Sequence, residues 1–372
     1  MWNCVKARQH PLSCLDLQPL TGTMATTEVL NAAKSLSRGK QRFLLSTAVY
    51  VVVALVLYVY AYALAAVILI LMLAWYGIDL IRQHTAEKID PSGKYVFITG
   101  CDSGFGLESA KAIRDLGFQV IAGCYNDNSP GAKELRDRPW VKKVEVVSLD
   151  VTSEASVQAC AEEVKAICND QGLWAVINNA GINIIGPVEL VTMEMFHRCA
   201  EVNLFGPLRV TKSVLPLIRQ TQGRIVNVSS ERAFNPRAQS APYCISKAGL
   251  EIFSSCLQRE MEEFKVKVIT IAPGEFAGAT AIVTTEATDY LRERLLRSQA
   301  QLSLSDQEAE LYSRDNITNI IQSFERAMEK SGASAEPVIQ AYIDAVLNAD
   351  PLRCYLIHGF KRQCMDPFIV SH

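Results

Sequence analysis

Two patterns of apolar and polar positions divide the chain. Residues 43 to 81, FLLSTAVYVVVALVLYVYAYALAAVILILMLAWYGIDLI, carry no charge until Asp79. A bilayer core takes about 20 apolar residues as a helix, and this run is nearly twice as long. It is too long for a buried core helix, and too long for a cleaved signal peptide, whose apolar core is about 7–15 residues. The run predicts a transmembrane anchor, as one long tilted span or as two short spans folded into a hairpin. No Pro or Gly marks a central turn, so both arrangements stay open. For a single span, Lys34, Arg38, Lys40 and Arg42 would hold the N-terminus in the cytosol, because Arg82, Lys88 and Lys94 are offset by Asp79, Glu87 and Asp90. A hairpin keeps both flanks cytosolic, which suits free thiols, and the reading leans that way. Residues 1–42 read as a polar, unstructured tail and 82–92 as a linker. The few acids of that tail admit a mitochondrial presequence as a lesser alternative.

From residue 93 the pattern changes to short β-branched runs separated by amphipathic stretches. Seven strands are predicted within KYVFITG, FQVIAG, VEVVSLDV, LWAVINNAG, GRIVNVSS, VKVITIAPG and RCYLIHG. Near-continuous apolar strands alternating with helices imply a parallel sheet covered on both faces. Right-handed crossovers then make an α/β fold with a doubly wound seven-stranded parallel sheet, Rossmann-like, behind the N-terminal transmembrane segment. The domain spans 93–360 with a lid insertion at 275–333, and 361–372 form a tail. Within the lid, Leu291, Leu295, Leu296, Ile317, Ile320, Ile321 and Phe324 follow helical spacing and read first as packing onto the domain.

Charge narrows the functions. Charged residues are 20% and the formal net charge is -2, so no face is basic enough for nucleic acid. The eleven cysteines form no CxxC and no His/Cys cluster, so no metal site is expected.

The chemistry gathers at the strands' carboxyl ends, where such sheets bind ligands. TGCDSGFG (Thr99, Gly100, Cys101, Asp102, Ser103, Gly104, Phe105, Gly106) follows the first strand and opens a helix. Glycines there permit a tight turn, and the helix N-terminus points free N–H groups at a pyrophosphate. Asp150 and Val151 follow the third strand, and Asn178, Asn179, Ala180 and Gly181 the fourth. Asp150 also reads as a turn or cap residue, and the asparagines as braces of the crevice. Ser230 follows the fifth strand, and Tyr243 and Lys247 share one face of the next helix. An ammonium beside a phenol favours phenolate, the base that an alcohol's proton needs. Arg232 and Arg237 lie between the serine and the tyrosine, where they could hold a substrate carboxylate.

Together these motifs resemble the short-chain dehydrogenase/reductase family over about residues 93 to 360. Within it, they resemble the subgroup of D-3-hydroxybutyrate dehydrogenase, membrane-bound retinol dehydrogenases and oxidative 17-beta- and 11-beta-hydroxysteroid dehydrogenases. The resemblance implies Tyr243 as catalytic acid/base and Lys247 as ligand of the nicotinamide ribose that lowers the tyrosine's pKa. It implies Ser230 as the residue orienting the substrate oxygen and Asn203, in EVNLFG, as holder of a relay water. Thr99, Gly100, Ser103, Gly104, Phe105, Gly106, Asp150, Val151, Asn179, Ala180, Gly181, Pro273 and Gly274 would bind the cofactor, with Tyr243 and Lys247, and Thr280 is an added contact. With Asp102, Asn126 and Asp127 near the ribose and no base there, NAD is expected ahead of NADP. The expected partners are a small-molecule alcohol or ketone and membrane lipid; a homo-oligomer is left open. A steroid or retinoid alcohol is the favoured substrate, 3-hydroxybutyrate the alternative, and an inactive membrane scaffold the second alternative. The endoplasmic reticulum is the expected membrane, the mitochondrial inner membrane its alternative.

Overall fold

The computed structural model of the chain describes residues 24–85, 87–137, 144–276, 280, 285–303, 305–329 and 334–358. It divides into two compact units, Met1–Thr85 and Ala86–His372. Most of the expected N-terminal tail before Met24, the whole 361–372 tail and parts of the lid lie outside the described residues.

The described residues of the first unit form one helix, α1 (Met24–Thr85). At about 1.5 Å per residue it runs some 93 Å. Its segment Arg38–Ile78 is long and apolar enough to cross a membrane, and none of its most apolar window is buried in protein. Large side chains such as Phe43, Tyr50, Leu57 and Trp75 face outward on every side. Of the two expected arrangements the helix has the form of the single long one: no turn interrupts the apolar run, as the lack of a central Pro or Gly allows. The expected tail is corrected, because helix begins at Met24 and the basic residues before the run are helical. A polar stretch can be helical with no apolar stripe to announce it.

In the second unit the strands are β1 (Tyr95–Thr99), β2 (Gln119–Cys124), β3 (Glu145–Ser148), β4 (Ala175–Asn178), β5 (Arg224–Val228), β6 (Lys267–Pro273) and β7 (Cys354–Ile357). All pair in parallel in the order β3-β2-β1-β4-β5-β6-β7. Helices α2 (Gly104–Asp115), α3 (Pro130–Asp137) and α4 (Glu154–Cys168) cross between the first four strands. Next come α5 (Met193–Ala200), a π turn at Glu201–Phe205 and α6 (Gly206–Thr221), then α7 (Ala241–Met261) after β5. Helices α8 (Thr285–Gln299), α9 (Asp306–Leu311), α10 (Arg314–Glu329) and α11 (Glu336–Leu347) lie between β6 and β7.

Every residue of β1 is buried, because its two faces enter different cores. Val96 and Ile98 pack with Ala110 and Ile113 of α2 and Tyr342 of α11. Tyr95 and Phe97 pack with Val157 of α4 and Val210 and Val214 of α6. A strand sandwiched this way must be apolar at every position, which is why the sequence shows runs rather than alternation. A third core joins Leu291 and Leu295 of α8 and Ile317 and Ile321 of α10 to Ile184, Leu190 and Met195. The lid's helical stripe is thus mainly packing. Strand order reverses between β1 and β4, so a crevice opens beyond their carboxyl ends.

Candidate active site

The glycine turn after β1 is built by close approach. Gly100 has φ +71, and a Cβ on it would lie 2.8 Å from Ala180 Cα. A Cβ on Gly106 would lie 2.2 Å from the Gly100 carbonyl oxygen. Side chains behind the turn hold it there. Asn179 Nδ2 donates to the carbonyls of Thr99 (2.8 Å) and Gly100 (3.0 Å). Thr99 Oγ1 accepts from the backbone N–H of Asn179 (3.1 Å) and Ala180 (3.0 Å). The Tyr342 hydroxyl donates to Asn179 Oδ1 at 3.0 Å. The Asp102 carboxylate accepts from the N–H groups of Tyr125 (2.9 Å) and Asn126 (2.8 Å), and so fixes the loop after β2. Asn178 serves the sheet interior instead, donating to Thr211 Oγ1 (2.9 Å) and Asn227 Oδ1 (2.8 Å).

A cavity of about 1370 Å³ runs along the crest of the sheet. Gly100, Ser103, Gly104, Phe105, Asp150, Val151, Asn179, Ala180 and Gly181 line it, and so do Ser230, Tyr243, Lys247, Pro273, Gly274 and Thr280. Three expected site residues stand behind its wall. Thr99 and Gly106 shape the turn as described. Asn203, fully buried in the π turn, donates to Ile182 O and accepts from Ile182 N, both at 2.8 Å, and donates to Ser246 Oγ at 3.0 Å. The extra residue of a π turn re-aims a side chain, a device common at functional sites. Asn203 thereby clamps the loop after β4 on which Gly181 sits. Asp150 takes the turn role as well, accepting from Thr152 N and Thr152 Oγ1 at 2.9 and 2.7 Å.

Tyr243 and Lys247 do share one face of α7. The Lys247 ammonium lies 5.8 Å from the centre of the tyrosine ring and donates to Val228 O at 2.7 Å. Ser230 Oγ donates to Pro273 O (3.3 Å) and accepts from Arg232 N (3.2 Å). Burial pushes the Tyr243 phenol up to about 12, opposed by the facing Ser230 hydroxyl and by Arg232. Burial also pushes the Lys247 ammonium down to about 8. In the protein alone, burial is the largest influence on both groups. Desolvation acts on both, and the ammonium is bonded to a carbonyl rather than to the phenol.

This has a measurable consequence. Between pH 8 and 10 the unfolded chain keeps the Lys247 proton that the folded chain has lost, so stability rises with pH there. Relative to Lys247→Met, the native protein should gain about 2 kcal/mol across that window and nothing below it. Paired melting curves of the two proteins against pH read this directly. A constant difference in melting temperature would refute it.

Sequence reasoning missed Tyr342, Ser246 and Glu275. Tyr342 lies 163 positions from the asparagine it supports, and no local pattern announces such a contact.

The arrangement fits a dinucleotide. Gly100 and Gly106 leave no room for a side chain in the turn, α2 begins at its mouth, and the cavity joins it to the Ser230, Tyr243 and Lys247 cluster. The family model for short chain dehydrogenases matches residues 94–290. The chain is 38% identical to bovine mitochondrial D-beta-hydroxybutyrate dehydrogenase over 74% of its own length and 80% of that protein's. It is 37% identical to human retinol dehydrogenase 16, over 76% of this chain and 84% of that one. It is 34% identical to human 11-beta-hydroxysteroid dehydrogenase type 2, over 74% and 71%. The chain belongs to the short-chain dehydrogenase family, as an alcohol oxidoreductase that uses a nicotinamide cofactor.

Proposed function

We propose that this membrane-anchored enzyme oxidises a neutral, lipophilic alcohol of the steroid or retinoid kind with NAD. The observation that carries the reading is the state of the arginines at the substrate end. Arg232 Nη2 donates to Glu275 Oε1 at 2.5 Å, and Arg237 Nη1 lies 3.6 Å from the same oxygen. Arg198 is stacked 4.5 Å from the ring centre of Tyr290 in α8. The guanidinium groups expected for a substrate carboxylate therefore already have partners. Around them Ile182, Val202, Phe276 and Phe324 give the wall apolar surface. D-3-hydroxybutyrate is the second reading, favoured by the presence of the arginine pair and by the likeness to the bovine enzyme.

Tyr243 is positioned to take the hydroxyl proton as the alcohol becomes a carbonyl. Ser230, facing the phenol, holds the reacting oxygen by hydrogen bond, and Lys247 presents its ammonium beside Gly181 toward the cofactor's ribose. Asn203 acts through the loop it clamps. Nicotinamide, when bound, supplies the hydride acceptor.

NAD rather than NADP is supported by charge. Among the described residues, the wall from β1 to β3 presents Asp102, Asn126 and Asp150 with no Lys or Arg, and the cationic residues on the wall belong to the opposite side of the sheet order. Arg136 is held by Asp127, donating to its carbonyl at 2.5 Å. A 2′-phosphate would meet carboxylates there. The endoplasmic reticulum is the proposed membrane and the mitochondrial inner membrane the alternative, which fractionation of the full chain distinguishes.

Purified full-length protein in detergent should reduce NAD at least tenfold faster than NADP, and should do so with estradiol or retinol. Turnover confined to 3-hydroxybutyrate would replace this reading with the second. Cofactor binding without turnover of any alcohol would leave an inactive scaffold.

A further inference from the structure

Glu275 stands between two arginines at the substrate end, in a position that the reaction chemistry does not require. It directly follows the Pro273–Gly274 turn, whose Gly274 N–H donates to Ile357 O at 2.7 Å. Arg232 comes from the opposite loop, in the 3-10 turn Glu231–Ala233 that Ser230 caps. The Arg232 side chain is 20% exposed, that of Glu275 34% and that of Arg237 50%. All three line the cavity that holds Tyr243. The Arg232 N–H donates to Ser230 Oγ at 3.2 Å, so the pair is tied to the loop that carries the reacting serine.

We infer that Glu275 is a built-in counter-anion that occupies the Arg232/Arg237 pair and thereby excludes substrates bearing a carboxylate near the alcohol. The inference rests on the neutral-alcohol reading above and names the residue that enforces it. An arginine pair reached only by solvent and substrate is a bidentate carboxylate site. With Glu275 in place, an entering carboxylate must either displace it or lie beside it. Displacement strips a partly buried acid of its partners, and approach sets like charges side by side. The rest of the wall does not compensate for this. Arg198 is stacked on Tyr290. A neutral alcohol meets none of these costs. The device is specificity by repulsion: the salt bridge contributes little attraction to the favoured substrate and much of the discrimination against the disfavoured one.

The test compares 3-hydroxybutyrate with its methyl ester, which differ at the alcohol's neighbour only in charge and one methyl group. Full-length wild type and Glu275→Gln are assayed for kcat/KM with both, and binding of both probes is measured calorimetrically where turnover is slow. The acid-to-ester ratio should rise on the order of tenfold or more in Glu275→Gln. Glu275→Ser, smaller and equally neutral, should raise it in the same direction, and Glu275→Asp should keep the low ratio of the wild type. An unchanged ratio in a folded, NADH-binding Glu275→Gln overturns the inference and leaves the neutral-alcohol reading standing. A wild type that prefers the acid, with that preference lost in the variant, overturns both. If both neutral variants lose their fold, Glu275 is a structural clasp between two loops and the inference fails.

Discussion

Tyr243→Phe should lower kcat by about 10²–10⁴-fold, the range over which a positioned acid or base contributes, and leave NAD binding nearly intact. The phenol oxygen is the only atom removed. The ring stays in the core that it shares with Leu291 and Leu295 of the lid, so the fold has little cause to change. The cofactor's turn is built by Gly100, Gly106, Thr99 and Asn179, none of which touches that hydroxyl. A loss of turnover with unchanged affinity for NADH therefore assigns the hydroxyl to chemistry. The pH dependence should follow from the same group. Burial pushes the phenol up to about 12 and the Lys247 ammonium down to about 8, so oxidation by the wild type should climb with pH only until that ammonium is lost. The residual activity of the phenylalanine variant should not. A Tyr243→Phe enzyme with full activity would remove the mechanism.

Gly106→Ala should have the opposite signature, with cofactor binding lost first. The added methyl would begin 2.2 Å from the Gly100 carbonyl oxygen and 2.6 Å from Asn179 Nδ2. The first of these is backbone, and the second already donates to two carbonyls and is backed by Tyr342. Neither can move without opening the turn. NADH affinity should fall at least 100-fold, and overpacking of this kind costs about 1–3 kcal/mol of stability. A milder disturbance of the same brace, Tyr342→Phe, deletes one hydrogen bond and should weaken NADH binding by less than tenfold. Fluorescence titration with NADH ranks the three proteins. Wild-type affinity in Gly106→Ala would mean that the turn is not the pyrophosphate site.

Much of the catalytic domain was legible because its physics is local. All seven strands fall where apolar runs stand in the sequence, and the glycine turn, Ser230, Tyr243 and Lys247 meet on one cavity. The backbone order of a parallel sheet brings those strand ends together whatever the side chains beyond them do. The anchor was legible as apolar length but not as shape. Hydropathy gives the extent of a membrane run and is silent on whether it bends, so a hairpin and a single helix read alike. The start of α1 at Met24 was hidden for a related reason, since a helix without a buried face leaves no periodic signature. Residues acting across long separations were illegible. Tyr342 on Asn179 and Glu275 on Arg232 and Arg237 join segments that only the folded sheet makes neighbours. Spacing reveals that an ammonium is near the tyrosine but not which way it points or how dry the site is. Lys247 turns to the Val228 carbonyl, and burial is the main influence that raises the phenol.

The most direct test of the account follows a deuterium atom. Estradiol or retinol carrying deuterium on its carbinol carbon is incubated with the full-length wild type and NAD, and the reduced cofactor is analysed by mass. A catalytic centre of Tyr243, Ser230 and Lys247 acting on a neutral alcohol predicts that the label arrives on the nicotinamide ring, at a rate that collapses in Tyr243→Phe. Label that reaches the cofactor only from deuterated 3-hydroxybutyrate, or reaches it equally well without the tyrosine hydroxyl, would contradict it.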